Sequence, residues 1–166
     1  MVVGTKKDEY YMKAALIEAE TALKKGNWPI GCVIVLDDKI IARSHNNVYS
    51  SKDRLAHAEI SALKQVQDIL KENPGKAVLY TTYEPCPMCF GAAILSRVKR
   101  VVCGIDLDKS GAMYFRENLP VLFKQNKFAV EFTSGVLAKE CHNVFMASEL
   151  AKGLLKEGVL RRKQEF

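Results

Sequence analysis

Between residues 77 and 104 two apolar runs, AVLYTT (77–82) and VKRVVCG (98–104), flank the segment PMCFGAAILS (87–96). The outer runs are short and rich in β-branched residues, as buried strands are, and the middle one opens on a proline, which a helix tolerates at its first position. A strand, a helix and a strand in such quick succession constrain the chain strongly. The two strands must lie parallel, joined by a right-handed crossover. Upstream, Met12, Ala15, Leu16, Ala19, Ala22 and Leu23 recur at intervals of three and four with Gly26 as a stop, which predicts an amphipathic helix over 8–25. IGCVIVL (30–36) and KIIAR (39–43), separated by Asp37 and Asp38, read as a hairpin. A polar loop, SHNNVYSSKDR, leads to a helix over 57–70 that ends before the turn signal Asn73-Pro74-Gly75. FAVEFTS (128–134) adds a last strand and 136–156 a long C-terminal helix. The segment 106–127 is the least regular, with a short helix expected over 113–118 and a part in the wall of a site. The expected fold is α/β: a three-layer α/β/α arrangement with a mixed central sheet of about five strands, an antiparallel hairpin at one side and helices on both faces. At 166 residues and 48% hydrophobic content, the chain fits one domain spanning 1–166.

No run of about 18 apolar residues is present, and the N-terminal MVVGTKKDEYYMK carries charge where a signal peptide needs its apolar stretch, so a soluble, cytoplasmic protein with no membrane association is expected. Five cysteines, two of them three apart beside prolines, suit reduced thiols better than a disulfide framework. The net charge of +6 would suit an anionic partner such as RNA, yet the basic residues are spread along the chain. Their one dense cluster, Arg161, Arg162 and Lys163, reads as a solvated helix end.

Chemistry enters with LAHAEIS (55–61) and YEPCPMCFG (83–91). Cys86 and Cys89 have the C-x-x-C spacing that lets two thiolates grip one metal ion. Pro87 marks a helix start, which places Cys86 at the cap and Cys89 in the first turn. Residues two apart on a helix point in nearly opposite directions, so His57 and Glu59 can serve one ion only if it lies off the helix's N-terminal end. Two helix N-termini would then converge, and their unpaired N–H groups would favour thiolates. His57, Cys86 and Cys89 make three ligands for zinc (Zn2+), leaving a fourth tetrahedral position for water, the mark of a catalytic rather than a structural site. Glu59 is then the base beside that water. Cys32, Cys103 and Cys141 read as small buried hydrophobes, His142 as an ordinary helix residue, and His45 as either a wall of the site or a loop anchor.

His57-Ala58-Glu59 followed by Pro85-Cys86-Pro87-Met88-Cys89 resembles the signature of the zinc-dependent cytidine deaminase-like superfamily. The resemblance, over roughly residues 8–150, implies a hydrolytic deaminase that replaces an exocyclic amine on a nucleobase or nucleoside with a carbonyl and releases ammonia. It implies zinc held by His57, Cys86 and Cys89, with Glu59 as proton shuttle. It places substrate contacts at Asn46 and Ala58, and it implies a homodimer. Trp28-Pro29-Ile30-Gly31 is similar to tRNA adenosine deaminases and fungal-type cytosine deaminases, whereas His45-Asn46-Asn47-Val48 looks more like guanine deaminases. Where the tRNA enzymes have D-P-T, this chain has Asp53-Arg54-Leu55, and after Asp-Lys-Ser-Gly it carries Met113-Tyr114-Phe115 in place of small residues. Tyr114 and Phe115 would narrow the pocket and stack on a free base. The expectation is therefore a small substrate of the cytosine or guanine type, with adenosine in a tRNA anticodon loop as the alternative. A non-catalytic zinc-stabilised binding module is the remaining possibility, against which the intact Glu59 argues.

Overall fold

The computed structural model describes residues 4–107, 111, 118, 123 and 130–156. Helix α1, Lys6–Lys24, begins in a capping box: Thr5 Oγ1 accepts the Asp8 N–H at 3.2 Å, and the Asp8 carboxylate accepts the Thr5 N–H at 2.9 Å. Gly26, at φ 72, lets the chain turn away just past the helix end. Met12, Ala15, Ala19 and Ala22 make the buried face. Strands β1, Gly31–Leu36, and β2, Lys39–His45, pair antiparallel. Asp37 and Asp38 both adopt positive φ, 47 and 63, as a two-residue turn of the type that matches strand twist demands. A Cβ at Gly31 would stand 2.0 Å from the Ala15 carbonyl oxygen, so only glycine lets β1 start directly against α1.

Two short helices follow, α2 at Val48–Ser51 and α3 at Ala58–Gln65, then α4 at Gln67–Glu72. Strand β3, Val78–Tyr83, lies antiparallel to β1 and parallel to β4, Arg100–Ile105, with helix α5, Pro87–Leu95, crossing between them. Strand β5, Glu131–Thr133, pairs parallel with β4. Helices α6, Ala138–Met146, and α7, Glu149–Lys156, end the described chain. The sheet order is β2-β1-β3-β4-β5. Alternation along β1 separates two cores: Cys32, Ile34 and Leu36 face α3, α4 and α5, while Val33 and Val35 face α1, α6 and α7. The expected mixed sheet between two helical layers is thus the architecture, and among the described residues no helix is long and apolar enough to cross a membrane.

Four expectations are corrected. The helix expected over 57–70 is broken at Val66, whose φ of −129 and ψ of 20 are not helical. Leu63, Val66 and Leu70 stay buried at helical spacing across the break, which is why periodicity does not reveal it. The helix expected over 136–156 is also two helices. The Ser148 hydroxyl accepts the Leu150 N–H at 3.1 Å and so starts α7 afresh. The last strand is three residues long rather than seven, and the polar loop before α3 contains α2. Of the short helix expected over 113–118, all but Asn118 lies outside the described residues.

Candidate metal centre and active site

The N-caps of α3 and α5 are His57 and Cys86, both with extended backbone (ψ 151 and 166) that turns the chain into a helix at that residue. Pro87 occupies the first helical position of α5, where its missing N–H costs nothing. The sulfurs of Cys86 and Cys89 lie 3.8 and 3.5 Å from His57 Nδ1, and the three donor atoms all fall within 4.8 Å of one another. A tetrahedral zinc with bonds of about 2.3 Å to sulfur and about 2.05 Å to nitrogen would set each sulfur–nitrogen edge at about 3.6 Å. One imidazole and two sulfurs at these separations fit that ion, and among the described residues this is the group suited to hold a metal.

The electrostatics divide the two thiols. Cys86 is lowered to about 4, first by the hydrogen bond from Cys89 and then, against burial, by the His57 ring. Cys89 is pushed up by that same bond and by its burial, and His57 is raised, chiefly by its bond to Cys86. The Cys89 thiol thus donates toward the Cys86 sulfur, which carries the charge of the pair. Glu59, in the first turn of α3, is 4% exposed, and burial raises its pKa above the ordinary value. The Thr81 hydroxyl sits 3.3 Å from Glu59 Oε1 and 3.2 Å from the Tyr83 carbonyl. It can donate to an ionised Glu59, or accept from a protonated one while donating to Tyr83. The carboxyl therefore has a partner in both states, as a proton carrier requires.

The sequence profile of the cytidine and deoxycytidylate deaminase zinc-binding region matches residues 5–105. The chain belongs to that family. As a deaminase of this family it is a zinc-dependent hydrolase. It is 41% identical over 143 residues to the tRNA-specific adenosine deaminase of Bacillus subtilis (strain 168), spanning 84% of this chain and 87% of that protein. It is 33% identical to the tRNA-specific adenosine deaminase of Streptococcus pyogenes serotype M1, spanning 95% and 96%. A solved structure from work on A-to-I editing by tRNA:A34 deaminases superposes with a TM-score of 0.69 at 34% identity, covering 81% of this chain and 98% of that one. Another, solved with 2,6-diaminopurine, gives 0.66 at 27% identity, with 84% and 80% covered.

The remaining residues of the deaminase fall into place unevenly. Asn46 is 2% exposed, directly after β2, with its N–H on the Ile30 carbonyl at 2.9 Å and its Oδ1 accepting the Val48 N–H at 3.2 Å. That oxygen keeps a second lone pair and the NH2 its donors, so the side chain still offers both an acceptor and a donor. Ala58 is fully buried, its methyl part of the core beneath α3. His45 is a loop anchor: its ring meets Glu18 Oε2 at 3.3 Å and Lys25 Nζ at 3.0 Å, tying β2 to α1. Cys32, Cys103 and Cys141 are buried among apolar side chains. Tyr114 and Phe115 lie outside the described residues.

Two polar residues had no sequence signal as site residues. Glu84, buried between the strand and the cysteine motif, accepts the Leu107 N–H at 2.5 Å, and its carboxyl is so close to Gly111 that a Cβ there would stand 2.5 Å from Glu84 Cδ. It thus holds Leu107 and Gly111 against the chain that leaves β3. Asn27, buried beyond Gly26, has its partners 22 and 23 residues downstream. A carboxamide between a helix-stopping glycine and an aromatic was the one available hint.

Proposed function

We propose that this deaminase converts adenosine to inosine in the anticodon loop of a tRNA. The observation that carries it is the 41% identity to the B. subtilis tRNA-specific adenosine deaminase over most of both chains. The likeness to a tRNA:A34 deaminase structure, matched over 98% of its length, and the net charge of +6 lend support. This displaces the free-base substrate favoured by the sequence, which leaned on Tyr114 and Phe115.

In this reading His57, Cys86 and Cys89 hold zinc, which when bound supplies the Lewis acidity that makes water a nucleophile at neutral pH. Asn46 donates from its NH2 to the base and fixes its edge. Glu59 takes a proton from the attacking water and passes it to a ring nitrogen as the C6–O bond forms, then takes the remaining proton of the new C6–OH and delivers it to the amine as the C6–N bond breaks and the carbonyl forms. Water and adenosine thereby become inosine and ammonia, with no other reactant. Desolvation suits Glu59 to this traffic, because it brings a carboxyl's affinity for protons nearer neutrality. The setting is cytoplasmic. The assembly is a homodimer formed through the helices beside the metal, where Met88 and Leu95, seven residues apart on α5, are 37% and 63% exposed.

The test is ammonia and inosine release from an adenosine-containing anticodon stem-loop, set beside free adenosine, guanine and cytosine. Turnover of the stem-loop well above the free compounds is the expected result, with affinity falling steeply as salt rises. Turnover confined to a free base would overturn the reading.

A further inference from the structure

The substrate loop owes its order to a residue outside it. Helix α2 is four residues long, too short to persist on its own. Its N-cap, Asn47, makes no side-chain cap bond to it, because Asn47 Oδ1 is taken by the Ser50 hydroxyl at 2.5 Å. The cap comes instead from Asn27, 22 residues upstream. Asn27 Oδ1 accepts the N–H groups of Tyr49 at 2.9 Å and Ser50 at 3.1 Å, and Asn27 Nδ2 donates to Ser50 Oγ at 2.7 Å. Asn27 is itself 1% exposed and anchored by its own N–H on the Ala22 carbonyl of α1 at 3.0 Å. The chain of contacts ends at the site from both directions. The Val48 N–H, at the head of α2, holds the Asn46 carboxamide, and the Asn47 N–H bonds the Ala56 carbonyl at 2.9 Å, one residue before His57.

From this geometry we propose that Asn27 is a positioning residue for substrate binding: by capping α2 from outside it fixes the Asn46 carboxamide in the orientation that receives the base. The inference rests on the reading that Asn46 contacts the base. On that reading Asn46 holds the base by an edge that is not itself reacting, so its contact is made alike in the bound substrate and the transition state. Losing its order then weakens binding and leaves the chemical step in place. A loop that samples its competent form only part of the time raises the apparent dissociation constant by the inverse of that fraction.

The test compares wild type, Asn27→Leu, Asn27→Asp and Ser50→Ala, all zinc-loaded, by steady-state kinetics on the anticodon stem-loop and by amide hydrogen exchange at Tyr49 and Ser50. Asn27→Leu should raise KM about tenfold with kcat little changed, and should speed exchange at both amides. Asn27→Asp keeps the accepting oxygen but loses the donation to Ser50 Oγ, and should bring KM back to within about two- to threefold of wild type. Ser50→Ala, at an exposed position, loses only the hydroxyl link and should raise KM about two- to threefold; it carries the test if Asn27→Leu does not fold. Faster exchange with an unchanged KM, or a fall in kcat alone, would overturn the proposal. If the wild type deaminates a free base and not the stem-loop, the tRNA reading falls, while the same KM comparison on that base still decides the role of Asn27. If it deaminates neither, both fall.

Discussion

Tyr80 and Thr81 are successive residues of β3, and their hydroxyls serve two buried carboxyls on opposite faces of the sheet. Tyr80 donates to Asp8 at 2.9 Å on the α1 side, and Thr81 reaches Glu59 at 3.3 Å on the α3 side. Burial pushes both carboxyls upward, but the outcomes have opposite signs. At Asp8 the Arg100 guanidinium, the Thr5 N–H and hydroxyl and the Tyr80 hydroxyl outweigh desolvation and hold the pKa below its ordinary value. Glu59 has no lysine or arginine partner among the described residues, and desolvation prevails. The fold has thus paired one carboxylate with a fixed cation, which holds it ionised further into acid and makes it a structural tie. The other it has left without a fixed cation, close to the three residues that could hold a metal. What separates a structural acid from a chemical one here is the company it keeps, since both are buried.

Cutting each region at its most connected atom should produce the largest and most distinct losses. Cys89→Ala should strip the protein of zinc and abolish turnover, read by metal analysis and ammonia release. Asp8→Ala should leave zinc bound and instead cost about 3 kcal/mol in denaturant unfolding, because the part-buried Arg100 would lose its carboxylate partner. Equal losses of metal in both variants would erase the distinction. The hydroxyls sharpen it at a smaller scale. Tyr80→Phe should cost about 1 kcal/mol of stability and no activity, while Thr81→Val should lower kcat several-fold with stability nearly unchanged. The smallest effect is in acid. Because the folded Asp8 binds its proton less readily than the unfolded chain does, its stabilisation is complete above its ordinary value of 3.8 and is lost as pH falls from there through the folded value. Asp8→Asn should flatten that acid limb of the stability profile and leave the neutral region's slope unchanged.

Local signals in the chain announced most of the frame. Pro87 placed Cys86 at a helix cap, Asp37-Asp38 closed the hairpin, and the strand-helix-strand run over 77–104 gave the parallel pair and its crossover. The two candidate ligand segments could be joined because each begins a helix whose N-terminal end can face a common point. What stayed hidden depended on distance along the chain. Asp8 and Arg100 are 92 residues apart, and Asn27 meets its loop partners across 22 and 23. Nothing local distinguishes such a residue from a turn or surface polar group. The breaks at Val66 and Ser148 differ from each other. Val66 preserves the apolar spacing and so leaves no trace, whereas Ser148 before Glu149 is a readable start signal that the continuous amphipathic pattern outweighed. The expected small substrate leaned on Tyr114 and Phe115 as pocket walls, whereas the relatives the chain matches over most of its length are tRNA-specific adenosine deaminases.

Glu59→Gln, with zinc content and turnover measured on the same sample, probes the proton-carrying role most directly. Glutamine keeps the shape and the Thr81 contact and removes only the titrating proton. Zinc at the wild-type ratio with turnover reduced by about 10²–10⁴-fold is the predicted result. Turnover near the wild-type rate with zinc still bound would contradict it.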